Sequence, residues 1–440
     1  MRFIQRLLNA STSPGGAFRW PGFLFTTVMV LGLALSDDTA AGTVYPMPSP
    51  PLENPHRWAE DNRGTIAAAR NAFKESLRGN AVSIIRPEYE RRLGEMVFAV
   101  RRQANMRRPL ADFGDLFAAL PPYTRLHLFV PEAAAEGAED QLEDLGLEER
   151  TTIHTVESEF LSGRWKSWAD ITVSNSNLWM RDIVLVGSVN GAPRIYQPLA
   201  YNATSDLRHN DTDFIRKLGG AGRQITVVPF PHFIRGGNLL VGEAAGRLVA
   251  FVGAHEVDFN AAALPVLTQD SPSPAVVAER FLDDLKRVTG ADRVVVLPNT
   301  PLVFHLDQAL IFLGPGRVGV LKSIDGLRFG AAEEKMFSEI RQALTDTGFS
   351  IVDIPSSPGH LGRYESSANA VLFRNAHNDV PTALVPRFPD AEVTWEGRQY
   401  SSLMDLVAQV YRREGYAVVF VKDAFHAHKG NLHCVTLPLN

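Results

Sequence analysis

The sequence predicts an α/β fold of five ββαβ units, closed into a ring with pseudo-five-fold symmetry. Three observations predict it. The order strand–strand–helix–strand recurs four times along the chain. The elements left over at the two ends supply the same order for a fifth unit, and a ring sealed this way leaves no open solenoid ends. The notable polar residues recur once in each unit, just before the first strand in four of them and as His433-Cys434 in the fifth. With 440 residues, 45% hydrophobic and 21% charged, the chain is long enough to bury a large core.

Taken in order, the N-terminus reads as a targeting segment. Arg2 and Arg6 give a basic start, Phe23–Leu35 is an uncharged apolar run, and Asp37 and Asp38 end it. Small residues offer cleavage after Ser36 or Ala41, so residues 1–41 are expected to be a signal peptide and the protein to be secreted or periplasmic. The alternative is a membrane anchor formed by an uncleaved segment; no stable membrane association is expected after cleavage. Residues 42–85 read as a Pro-rich linker and N-terminal extension, extended to about residue 60, and residues 86–440 as the main folded domain.

In the first repeat Ile183–Val189 and Pro193–Gln197 read as strands, Asp206–Leu218 as a helix and Ile225–Pro229 as a strand. The second has Leu239–Glu243, Leu248–Val252, the helix Ala275–Val288 and Arg293–Leu297. That helix carries Val276, Phe281, Leu282 and Leu285 on one face. The third has Ala309–Leu313, Val318–Leu321, the helix Ala331–Thr345 and Ile351–Ile354. The fourth has Ala370–Arg374, Thr382–Pro386, the helix Ser402–Arg413 and Ala417–Val421. The strand Leu432–Leu437 joins Met96–Val100, the helix Pro109–Leu120 and the strand Arg125–Val130 as the fifth.

Composition excludes several classes. Lys plus Arg is 44 and Asp plus Glu is 49, a formal charge of −5, so no nucleic acid partner is expected. One cysteine excludes an intramolecular disulfide and any multi-cysteine zinc site. Zinc on His426, His428, His433 and Cys434 would use a spacing no known ligand set has, and would leave the acidic motifs unexplained; no metal and no cofactor are expected.

Equivalent positions of a ring converge on its axis. Asp182 lies 56 residues before Asn238, then 67 separate Asn238 from His305, 64 His305 from Asn369, and 65 Asn369 from Cys434. One pocket should therefore hold Asp182, His305, Asp307, Asn369 and Cys434. A cysteine with a histidine from elsewhere is the pattern of covalent nucleophilic catalysis. Two carboxylates beside them would repel an oxyanion and hold back the thiolate. They suit a planar cation, because each takes paired hydrogen bonds from a guanidinium. Cys434 would attack the central carbon, and His305 would protonate the departing amine and then activate water.

These motifs resemble the guanidino-group-modifying pentein superfamily, whose fold is a five-bladed ββαβ propeller, and within it the Porphyromonas-type peptidylarginine deiminase and agmatine deiminase family. Arg86-Pro87-Glu88-Tyr89-Glu90 with Gly94 resembles that family's opening segment. Trp179-Met180-Arg181-Asp182 resembles its W-x-R-D, His305-Leu306-Asp307 its H-x-D, Ser366 to Asn369 its S-Y-x-N, and Gly430 to Cys434 its G-N-x-H-C. The resemblance implies Cys434, His305, Asp182 and Asp307 as catalytic residues. It implies Trp179, Arg181, Arg235, Gly237, Asn238 and Asn369 as substrate-binding ones. Arginine, peptidyl or C-terminal, is the favoured substrate, turned to citrulline and ammonia. The alternatives are an agmatine deiminase, an amidinotransferase, and a non-catalytic binding protein of the same fold. Two departures bear on the substrate. Arg235 stands where agmatine-type members carry Glu before the Gly-Gly pair, and Tyr201-Asn202 is followed by Ala203 and Thr204 rather than by a clamp of arginines.

Overall fold

The computed structural model describes residues 55–78, 83–100, 108–156, 180–201, 207–209, 217–218, 225–264, 273–363, 365–425 and 430–439. Five of its sheets share one design, an antiparallel pair with a third strand added in parallel to the second. In unit I, Leu185–Val189 pairs with Ala192–Gln197, which pairs with Thr226–Pro229. Unit II has Leu239–Ala244, Arg247–Gly253 and Arg293–Leu297. Unit III has Leu310–Gly314, Arg317–Ser323 and Ser350–Ser356. Unit IV has Val371–Arg374, Pro381–Arg387 and Ala417–Lys422. Unit V takes its first strand, Leu437–Pro438, from one end of the sequence and the next two, Glu95–Ala99 and Arg125–Pro131, from the other.

Local chemistry explains the hairpins and crossovers. Asn190-Gly191 and Ala245-Gly246 turn units I and II with φ of 51° and 81°, and of 51° and 74°. Positive φ at both turn residues matches the strand twist. The crossover helix of unit II, Pro274–Thr289, starts where Ser273 accepts from the Val276 N–H, with Pro274 in its first turn, and stops at Gly290 with φ 68°. It buries Val277, Phe281, Leu285 and Val288. The expected stripe is thus rotated by about a residue. Each such side chain contributes about 1.5–3 kcal/mol.

The core lies between neighbouring sheets. Tyr196 and Phe230 of unit I share a cluster with Val252 and Phe281 of unit II. Phe251 of unit II, Phe312 of unit III and Tyr411 of unit IV share another. Phe373 of unit IV packs with Phe98 and Leu128 of unit V, and Phe129 of unit V with Ile183 and Ile195 of unit I.

Several expectations are corrected. Leu432–Leu437 is not one strand: Leu432–Val435 is a short helix and only Leu437–Pro438 is extended. A strand would send His433 and Cys434 to opposite faces. The helical turn brings both within reach of one carboxylate of Asp307. Within the expected helix Asp206–Leu218, Leu207–His209 is a strand paired with Leu199–Tyr201. Pro55–Ser76, expected to begin extended, is helical, and buries Ile66, Ala69 and Phe73 on one stripe. Phe73 meets Phe230 and Tyr196 edge-on at 5.4 and 6.4 Å. The sequence reading omitted the helix Ala254–Ala263, the helix Ala135–Leu145 and the strand Thr151–Val156. Among the described residues no helix is long and apolar enough to cross a membrane; the candidate signal segment lies outside them.

Candidate active site

A tight turn precedes the first strand of every unit, and it carries the polar residues. The turns are Met180–Asp182, Gly236–Asn238, Leu306–Gln308, the stretch from Ser366 to Asn369, and Leu432–Val435. Each is closed by a backbone bond from i+3 to i, as from Asn238 N–H to the Arg235 carbonyl at 3.0 Å and from Asn369 N–H to the Ser366 carbonyl at 3.2 Å.

Each turn is bonded to the next. Gly237 N–H donates to Asp182 Oδ1 at 3.2 Å. Leu306 N–H donates to Asn238 Oδ1 at 3.0 Å, and Asn238 Nδ2 donates to the Phe304 carbonyl and to Glu256 Oε1, both at 2.8 Å. Asn369 Nδ2 donates to the Asp307 carbonyl at 3.2 Å, and Asn369 Oδ1 accepts from His433 N–H at 3.0 Å. Arg181 Nε returns to the His433 carbonyl at 3.4 Å. Asparagine suits these junctions because one side chain both donates and accepts. Two glycines allow the close approach. A Cβ on Gly236 would lie 2.1 Å from the Arg181 carbonyl oxygen, and one on Gly237 would lie 2.8 Å from His305 Nδ1.

The expected residues therefore meet. His305, Asp307 and Cys434 each place a donor atom within 4.8 Å of the others, and all three are buried. His305 Nε2 lies 3.5 Å from Asp182 Oδ2. Cys434 Sγ donates to Asp307 Oδ2 at 3.5 Å and accepts from Asn369 Nδ2 at 3.2 Å. Asp307 Oδ1 and His305 Nε2 have no hydrogen-bond partner among the described residues. Such buried orphans are costly unless a ligand supplies the missing bonds. Asp307 Oδ2 also takes His433 Nδ1 at 2.7 Å, so one of its oxygens is held within the protein and the other is not.

Electrostatics set the resting state. Burial, then the charges of Asp307 and Asp182, push the Cys434 thiol well up. Burial, then Arg235, pushes His305 well down, so its imidazole is neutral. Burial raises Asp182 to about 7, with Asp307 adding and Arg235 opposing. Without a cation the site thus holds a protonated nucleophile and a neutral base, and a cation between the carboxylates favours the thiolate and the ionised Asp182 while keeping His305 neutral.

The remaining expected residues have other settings. Arg181 donates to Glu88 Oε1 at 2.7 Å, so its described partners are protein groups. Arg235, expected to face a substrate carboxylate or solvent, gives its Nε to Glu256 Oε1 at 2.6 Å, and Glu256 is fully buried. Trp179 lies outside the described residues, as do His426, His428 and Asn202. Glu88 and His433 were not expected in the site. Glu88 belongs to a noted motif, and His433 adjoins the nucleophile; neither signal says which way a side chain points.

No known family profile and no curated protein matches the sequence. Solved structures do. The agmatine deiminase of C. jejuni superposes with a TM-score of 0.55 at 15% identity, over 81% of this chain and 95% of that one. The two chains share one fold. A chain provisionally assigned as an agmatine deiminase gives 0.54 at 16% identity, over 81% of this chain and 95% of its own. Another provisionally assigned as a peptidyl-arginine deiminase gives 0.54 at 14%, over 81% and 98%.

Proposed function

We propose that the protein is a deiminase of the guanidino-modifying pentein type, a five-bladed ring that hydrolyses an arginine guanidine to a ureido group. One observation carries this reading: a buried thiol, a neutral imidazole and two carboxylates meet around orphaned polar atoms, an arrangement that suits a planar cation. The deiminases of matching fold support it.

The guanidinium lies between Asp182 and Asp307, with Asp307 Oδ1 taking one of its N–H groups. Its charge stabilises the thiolate, and the thiol proton passes to His305. Cys434 Sγ bonds to the guanidinium carbon. The C–N bond to one terminal nitrogen then breaks, and His305 returns the proton so that ammonia leaves. Water attacks the thiouronium carbon, His305 takes a proton from it, and the C–S bond breaks to give the ureido product and the thiol. Overall a guanidinium and water give a urea and ammonium.

The preferred substrate is peptidyl or C-terminal arginine outside the cytosol. The cationic Arg235 acts on Asp182 and His305 electrostatically, which disfavours a second amine and favours a carboxylate or backbone carbonyl. The signal-like residues 1–41 support export. The test offers agmatine, free arginine, a C-terminal arginine peptide and an internal arginine peptide to the purified protein and measures ammonia and ureido product. No release from any of them sinks the deiminase reading. Agmatine preferred tenfold in kcat/KM, about 1.4 kcal/mol, overturns the substrate preference.

A further inference from the structure

Four side chains, starting with Asp307 itself, form a largely buried row. Asp307 Oδ2 contacts His433 Nδ1 at 2.7 Å. His433 Nε2 contacts Glu88 Oε1 at 2.8 Å, and the same oxygen accepts from Arg181 Nη1 at 2.7 Å. The signs run minus, plus, minus, plus. Side-chain exposure is 3% for Asp307, 4% for His433, 18% for Glu88 and 9% for Arg181. Glu88 lies shortly before Glu95–Ala99, the second strand of unit V, and is 345 residues from His433.

Both ring nitrogens of His433 face a carboxylate oxygen, and an ionised carboxylate only accepts. A neutral imidazole has one N–H and leaves one of these contacts a repulsion between lone pairs. The ring is also fixed through its main chain, with its N–H on Asn369 Oδ1 and its carbonyl on Arg181 Nε. We propose that Glu88 is a positioning residue that holds His433 as a permanent imidazolium, and that this cation anchors Asp307 Oδ2 so that Oδ1 is turned to the guanidinium.

The groups facing His433 are Glu88, Asp307 and Arg181 directly, with Arg91 3.7 Å from Glu88 on the far side. Burial and Arg181 work against the charged ring, and Glu88 with Asp307 overcomes them. His433 differs in this from the proton-transferring His305: one stays charged, the other stays ready to change. The cation also moderates the repulsion Asp307 exerts on the adjacent sulfur. Without Glu88 the ring loses a proton, Asp307 loses its countercharge, and Cys434 holds its proton more tightly.

The inference rests on the deiminase reading for its effect on turnover, so its test does not. Cys434 is the single cysteine, so iodoacetamide uptake reports one thiol. In the full chain without substrate, ring-nitrogen NMR of His433 should show both nitrogens protonated at pH 7.5. Glu88→Gln should return that ring to the neutral form at the same pH, and move the alkylation midpoint of Cys434 up by a pH unit or more. Its kcat/KM should fall at least tenfold, with the acid limb shifted upward. A purely structural Glu88 would lower stability and leave both pH profiles in place. A neutral His433 in the unaltered protein overturns the proposal even if Glu88→Gln does not fold, as do unmoved profiles in a folded Glu88→Gln. No turnover on any guanidine would sink the deiminase reading while leaving the imidazolium and alkylation results to decide this one.

Discussion

Asp307→Asn separates the two things one carboxylate does in the site. Asp307 faces the sulfur at 3.5 Å through Oδ2, and offers its orphaned Oδ1 to the substrate. At an effective dielectric near 20, a full charge at that distance costs a thiolate about 5 kcal/mol. The facing His433 reduces this ceiling. Even a quarter of it is about one pH unit, since a unit is about 1.4 kcal/mol. The free thiol of the variant should therefore be more acidic, and iodoacetamide should take it up roughly tenfold faster at pH 7.5. Catalysis should move the other way. A charge-assisted hydrogen bond to the guanidinium contributes about 1.5–3 kcal/mol, so kcat/KM should fall at least tenfold and, with the lost attraction of the second charge, further. Alkylation rate and turnover are read on the same preparation. Parallel loss of both, with the fold intact by circular dichroism, would refute the assignment of Asp307 to the cation.

Cys434→Ser should abolish ammonia release while leaving the melting temperature within a few degrees; turnover near that of the parent would refute covalent catalysis by this residue. Because Asp182 in the free site takes up a proton at about pH 7, and only its ionised form attracts a cation, kcat/KM should rise with pH up to roughly 7 and then level; a profile flat from pH 5 to 8 contradicts that role. Gly236→Ala places a methyl 2.1 Å from the Arg181 carbonyl, so turns I and II must separate and activity should fall at least a hundredfold, whereas Gly314→Ala, with no atom nearby, should change little. Arg235→Gln leaves the buried Glu256 carboxylate with a lost charge partner, and urea denaturation should show a loss of about 3 kcal/mol or more.

The repeat was legible because each unit obeys two periods at once, two in its strands and 3.6 in its helix. Arg293–Leu297 agrees with its expected limits at both ends, and most other strands agree within two residues. The meeting of Asp182, His305, Asp307, Asn369 and Cys434 was legible for the same reason: each occupies one place in the repeat. What lay outside the repeat was hidden. Glu88 has no counterpart in another unit, and only its contact with His433 and Arg181 shows its setting. Glu256 sits on a helix the pattern omitted, so the partner of Arg235 had no signal. The turn Leu432–Val435 was read as a strand because its apolar residues satisfy either period over so short a run.

The pairing of Met96 with Pro438 joins residues 342 apart, and it sets when chemistry first becomes available. A growing chain emerges with Asp182, His305 and Asp307 already made, yet the thiol and the strand beside it come last. Units I to IV have local partners and can order early, whereas unit V waits for a long-range closure of the kind that slows folding. A chain made only as far as unit IV therefore has Asp182, His305 and Asp307 in hand without Cys434. A permuted gene that joins residue 439 to residue 86 would remove this delay and assemble the nucleophile early in synthesis.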